Sequence, residues 1–93
     1  MTHYNRHRRD GCQNDIVSGL RQLGWAVYDL SQTDRFCDVI VCATGRTLCL
    51  LELKMPGEGP TPEQSILAQE WPVHCVHDLE EAISACNREV KRR

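Results

Sequence analysis

The 93-residue chain is long enough for one domain with a modest core, and chains this small bury only a modest fraction of their surface alone, so a homodimer is expected. With 41% hydrophobic and 26% charged residues, no stretch approaches the roughly 20 apolar residues of a membrane span. The start is basic and polar, without the apolar core of a signal peptide, which predicts a soluble, intracellular protein with no membrane partner.

The formal net charge of −2 conceals a segregation along the chain. His3, Arg6, His7, Arg8 and Arg9 crowd one end and Arg88, Lys91, Arg92 and Arg93 the other, around an acidic middle. Lys and Arg gain affinity for phosphate by releasing counterions, so Arg6, Arg8, Arg9, Lys91, Arg92 and Arg93 are candidate phosphate contacts. Charged tails that only solubilise a chain produce the same pattern. The six cysteines, Cys12, Cys37, Cys42, Cys49, Cys75 and Cys86, include no C-x-x-C pair, and most fall in apolar runs, so they read as small buried hydrophobes. His74-Cys75-Val76-His77 holds zinc-ligand types, but strand alternation sends its histidines to the face opposite Cys75.

In chain order, residues 1–9 lack apolar periodicity and read as a basic flexible arm, leaving a single domain over 10–93 with a basic C-terminal tail. Asp10 and Gln13 have the spacing of a capping box, and Ile16, Val17, Leu20 and Leu23 recur at helical spacing before Gly24, predicting a helix over about residues 11 to 23. Trp25 to Leu30 is rich in strand formers and is broken by the polar run 31–35. Two apolar runs, Phe36 to Cys42 and Leu48 to Lys54, then flank a turn signal at Thr44-Gly45 and predict an antiparallel hairpin. Met55 to Pro60 is a loop by composition. Thr61, Pro62 and Gln64 open a second helix that stops near Trp71, before Pro72. Val73 to His77 reads as a fourth strand. Asp78 and Glu81 open a last helix with Leu79, Ala82, Ile83, Cys86 and Val90 on one face. The order helix, three strands, helix, strand, helix predicts the α/β class, with a small mixed four-stranded sheet flanked by helices.

The hairpin carries the chemistry. Asp38 and Glu52 are acidic residues in otherwise apolar strands, where a charge is costly unless paired or bound to a metal. Two carboxylates on adjacent strands can hold one magnesium ion, which prefers oxygen ligands, and Lys54 lies two residues beyond Glu52 on the same face. A lysine there can orient or deprotonate a water, or stabilise charge building on phosphate. Glu-x-Lys at a strand end is also a common solvated pair. For the three side chains to share a face, paired residue numbers must sum to an even value, which an odd loop such as three residues with Gly45 left-handed would satisfy. A two-residue Thr44-Gly45 turn would separate the carboxylates.

These residues resemble the PD-(D/E)XK nucleases, and the chain is similar to the small stand-alone VRR-NUC type. The likeness rests on Asp38, a 13-residue interval and Glu52-Leu53-Lys54, with Arg9-Asp10, Leu20-Arg21-Gln22-Leu23-Gly24, Gly45-Arg46-Thr47, Pro60-Thr61-Pro62-Glu63-Gln64 and Trp71 in matching order. The resemblance implies a restriction-endonuclease-like core and an endonuclease that uses Mg2+ or Mn2+ to cut DNA, often branched structures such as Holliday junctions, in a nucleoid-associated setting. It further implies metal binding by Asp38, Glu52 and the Leu53 carbonyl, a water-assisting role for Lys54, and a polar contribution from Gln64. Gln13 falls where many relatives place a first-helix glutamate, and Cys37 replaces the proline usual before the first aspartate. Gln13 and Gln64 also sit where capping boxes place glutamine, so each has a purely structural reading. Trp71 reads as core or dimer interface. A nucleic-acid-binding module without turnover is the alternative function, and a Cys/His-rich metal-binding protein a third.

Overall fold

The computed structural model describes residues 14–30 and 36–92. The basic arm, Cys12, the Asp10 and Gln13 capping pair and Arg93 therefore lie outside the described residues. Among the described residues the chain is a small mixed α/β fold of three helices and one four-stranded sheet: α1 over residues 14–22, β1 Ala26–Asp29, β2 Val39–Ala43, β3 Thr47–Leu53, α2 Pro62–Glu70, β4 Val73–Val76 and α3 Leu79–Arg92. A 3-10 turn, Thr44–Arg46, joins β2 to β3, a helical element absent from the predicted order.

The strands lie in the order β1-β2-β3-β4, antiparallel except for the parallel β3–β4 pair. That arrangement follows from the connections. A three-residue turn can only reverse the chain, whereas β4 is reached through a loop and α2, which returns the chain to run alongside β3. Alternation then gives the sheet two different faces. Val27, Val39, Val41, Ala43, Cys49, Leu51, Leu53 and Val76 point to one face, where Ile16, Val17 and Leu20 of α1 and Ala82, Ala85 and Cys86 of α3 close the core. On the other face Tyr28, Ile40 and Leu50 line up across three strands, beside a second row of Ala26, Cys42 and Leu48. Tyr28 is 69% exposed and Leu48 64%, so neither helix layer covers that end of the sheet.

Several expected boundaries move. α1 ends at residue 22, within a residue of the expected 23, and stops at Gly24 as expected: the Gly24 N–H bonds the Arg21 carbonyl and the Trp25 N–H the Leu20 carbonyl, a pattern Gly24 permits with a φ of 90°. Leu23 is left exposed instead of lining the buried face. Asp38 precedes β2 rather than lying in it: its carbonyl accepts from Leu30 N in step with the β1–β2 register, but its N–H bonds Leu51 O, one residue out of step with the β2–β3 pairing. The basic C-terminal tail is helical through Arg92, since Val90 packs on the core and holds the last turns down. Glu81 was expected to complete a capping box with Asp78. The Glu81 N–H does bond Asp78 Oδ1, but the Glu81 carboxylate reaches one residue further back, to the His77 N–H. Finally, α2 has no buried residue at all, and Trp71 after it is 49% exposed, its ring edge-on to Phe36 at 5.5 Å. Trp71 is therefore not a core residue. Among the described residues no helix is long and apolar enough to cross a membrane.

Candidate functional site

The hairpin turn decides the site. Thr44–Arg46 is three residues long, with Gly45 at φ 69° and Arg46 also at positive φ, 62°. The pairs Val39 with Leu51 and Val41 with Cys49 follow, the even register that keeps Asp38 and Glu52 on one face. A side chain two residues beyond Glu52, that of Lys54, lies at the strand's end on the same side. The parallel pairing of Glu52 with Cys75 adds a fourth group to this row.

Asp38 is 6% exposed and Glu52 3%, and both are held by directed hydrogen bonds. The Leu53 N–H donates to Asp38 Oδ2 at 2.8 Å, a charge-assisted bond that ties the residue before β2 across to the end of β3. Gln64 Nε2 donates to Glu52 Oε2 at 2.7 Å. The amide of Gln64 is itself oriented by the start of α2. Thr61 N–H donates to Gln64 Oε1 at 2.9 Å and Gln64 N–H donates to Thr61 Oγ1 at 3.2 Å, the reciprocal capping box. With Oε1 occupied by a donor, Nε2 is the end that must meet the carboxylate. Gln64 thus caps the helix and binds the site residue at once, so the two readings of its sequence position are one arrangement.

The electrostatics agree with a concentration of negative charge. Burial, then the charges of Glu52 and Asp38, push the Cys37 thiol up to about 11, and its Sγ donates to Val39 O. The Cys75 thiol is raised by burial, an effect that Lys54 opposes and Glu52 reinforces. Cys75 therefore feels the lysine and both carboxylates together. It lines a cavity of about 200 Å³ with Glu52, Gln64, Leu67 and Val73. Alternation alone could have found it, since Cys75 faces away from His74, but the pairing of β4 with β3 was needed to set it beside Glu52.

Two buried carboxylates on one sheet face offer oxygen donors of the kind that suit magnesium or manganese, and a carboxylate has lone pairs enough that single donors do not exhaust it. Among the described residues no group of three or more His, Cys, Asp or Glu side chains gathers as a metal site, so the set stands at its minimum. The zinc-like run does not converge: His74 Nε2 meets Glu89 Oε2 of α3 at 2.6 Å on the core face, while Cys75 faces Glu52. Of the cysteines, Cys37, Cys49 and Cys86 are buried as expected, whereas Cys42 and Cys75 are only partly so, because both lie on the incompletely covered face. Lys91 and Arg92 are not brought to the carboxylates. They end α3, which packs on the opposite face of the sheet, and Arg92 Nη1 lies 3.9 Å from Glu89 Oε2. Gln13, Arg6, Arg8 and Arg9 lie outside the described residues.

The chain matches no known family model, no characterised protein and no solved structure.

Proposed function

We propose that this protein is a metal-dependent endonuclease of restriction-endonuclease-like architecture that hydrolyses DNA phosphodiesters, with branched DNA as its preferred substrate. The observation that supports this reading best is the even hairpin register, which gathers Asp38, Glu52 and Lys54 on one face while Gln64 reaches Glu52 from α2. In this reading Asp38, Glu52 and the Leu53 carbonyl hold Mg2+ or Mn2+. When bound, the ion would supply Lewis-acid stabilisation of charge on the phosphate and a more acidic water. Lys54 orients that water and offsets charge on the phosphate oxygens, and Gln64 holds Glu52 in one rotamer. Because Asp38 is pinned by Leu53 N–H and Glu52 by Gln64, neither needs to be ordered when substrate arrives.

The near-complete burial of both carboxylates favours a second reading, a nucleic-acid-binding module of the same fold without turnover. A homodimer belongs to the nuclease reading, since two sites would cut two strands of a junction, and the uncovered side of the sheet around Tyr28 and Leu48 is the surface available for it. The test is incubation of labelled four-way junction, flap and duplex DNA with manganese. Wild type is expected to cut and Lys54→Ala to leave the DNA intact while folding normally. Intact DNA in every lane with folded wild type removes the enzyme reading, and retained binding without cutting selects the module.

A further inference from the structure

His77 stands between β4 and α3, and its ring is bonded on both sides. Nε2 lies 2.7 Å from the carbonyl oxygen of Glu58, in the loop that leads from β3 to α2, and Nδ1 lies 2.9 Å from Glu81 Oε1 on the first turn of α3. The backbone N–H of His77 donates to that same Glu81 oxygen at 2.8 Å. A carbonyl oxygen can only accept, and an ionised carboxylate can only accept. Both contacts therefore require a proton on the ring nitrogen, which only the imidazolium provides. A neutral ring keeps one proton, and because the carboxylate is the stronger acceptor that proton stays on Nδ1, which sets the Nε2 lone pair against the Glu58 carbonyl and breaks the bond to the loop.

What the ring holds matters for the site. α2 has no buried residue, so it is not fixed by packing into the core. Its far end is held by Trp71 against Phe36 and by the short run into β4, while its start depends on the Gln64 bond to Glu52, on its cap and on the loop before it. That loop is internally tied where the Glu58 N–H bonds Met55 O and Glu58 Oε1 accepts from Met55 N–H. Among the described residues the Glu58 carbonyl ties the loop across to the ring of His77 at the start of α3.

We propose that His77 is a protonation-controlled clip that fastens the β3–α2 loop, and through it α2, to the start of α3. Among the described residues the groups that raise the ring's proton affinity are the Glu58 carbonyl from the loop, and Glu81 and Asp78 from the first turn of α3 and its cap. Accordingly the Glu58 hydrogen bond first, and then Glu81, raise the histidine above its ordinary value, while Glu81 is lowered by its bond to His77. With Glu81 ionised above its ordinary 4.5, the clip is fully closed up to the ordinary histidine value of 6.5 and opens as pH rises through the raised one.

The inference is independent of any nuclease activity and is tested without it. Nitrogen-resolved NMR of the histidine ring, followed with amide-exchange protection of Met55, Gly57, Glu58 and Gly59 corrected for the intrinsic pH dependence of exchange, reads both halves of the clip. The expected result is a ring protonated on both nitrogens at pH 5.5, a midpoint above 6.5, and loop protection that falls severalfold through that same midpoint. Glu81→Gln, which keeps an acceptor but removes the charge, should lower the midpoint and carry the loop transition down with it. His77→Ala should leave the loop unprotected at every pH. Loop protection that ignores the histidine titration, a midpoint at or below 6.5, or a His77→Ala loop as protected as wild type would each overturn the proposal.

Discussion

Asp38 combines two duties that a substitution can separate. Its carboxylate accepts the Leu53 N–H in a buried position, and it faces the same side as Glu52. Asp38→Ala leaves that N–H without its acceptor and is expected to cost about 1–3 kcal/mol of stability. Asp38→Asn keeps an acceptor oxygen and should unfold close to wild type, yet on the proposed nuclease function it should lose cutting and metal-dependent stabilisation, since the amide is a poor ligand. Urea denaturation beside the cleavage assay tells these apart, and equal stability for the two variants would mean that the hydrogen bond contributes nothing. The residue types of this site were readable in the sequence because charges in apolar runs are unusual. The link between Thr61, Gln64 and Glu52 was not, because a capping box is local while its reach to Glu52 depends on where α2 lies.

At the scale of elements, the hairpin and the helix pair are set by different constraints. The even register follows from one extra residue in the turn, with both Gly45 and Arg46 at positive φ. Apolar alternation in β2 and β3 reinforces it, since a slip of one residue would move Val39, Val41, Cys49 and Leu51 out of the core. The packing of α1 on α3 depends on Gly19, where an added Cβ would fall against the side chain of Leu79. Gly19→Ala gains about 1 kcal/mol of helix propensity and loses a similar amount in displacing Leu79, whereas Gly19→Val is expected to destabilise by about 1–3 kcal/mol. A chemical-denaturation series would register the difference, and a neutral Val variant would place Leu79 elsewhere. The helix faces of α1 and α3 were legible from periodicity. The exposure of α2 was not, because Ile66, Leu67 and Trp71 look like core candidates until the sheet face beneath them is found only partly covered.

For the whole molecule, pH and self-association are the measurable consequences. His77 is raised, so its contribution is complete below 6.5 and is lost as pH rises through the raised value. Glu81 is lowered, so its contribution is complete above 4.5 and is lost as pH falls through the lowered value. The tie between them therefore supports the fold most between those limits, and a denaturation midpoint followed from acid to mildly alkaline pH should fall on both sides, less so in Glu81→Gln. If the chain pairs through its uncovered sheet face, Tyr28→Glu should shift a dimer to a monomer in light scattering while leaving the fold intact, and an unchanged mass would exclude that face.

What the sequence determined by itself was local: the capped starts of α2 and α3, the glycine stop of α1, the strand-forming runs, and a pair of acids too apolar in their surroundings to be accidental. These follow from backbone sterics and side-chain periodicity, which act over a few residues. Tertiary structure alone decided that the turn has three residues and not two, that β4 runs parallel to β3 and sets Cys75 beside Glu52, that Gln64 reaches across to that carboxylate, and that the basic end of α3 lies on the far side of the sheet. Each depends on contacts between residues distant in the chain, whose energies are settled only when the layers pack.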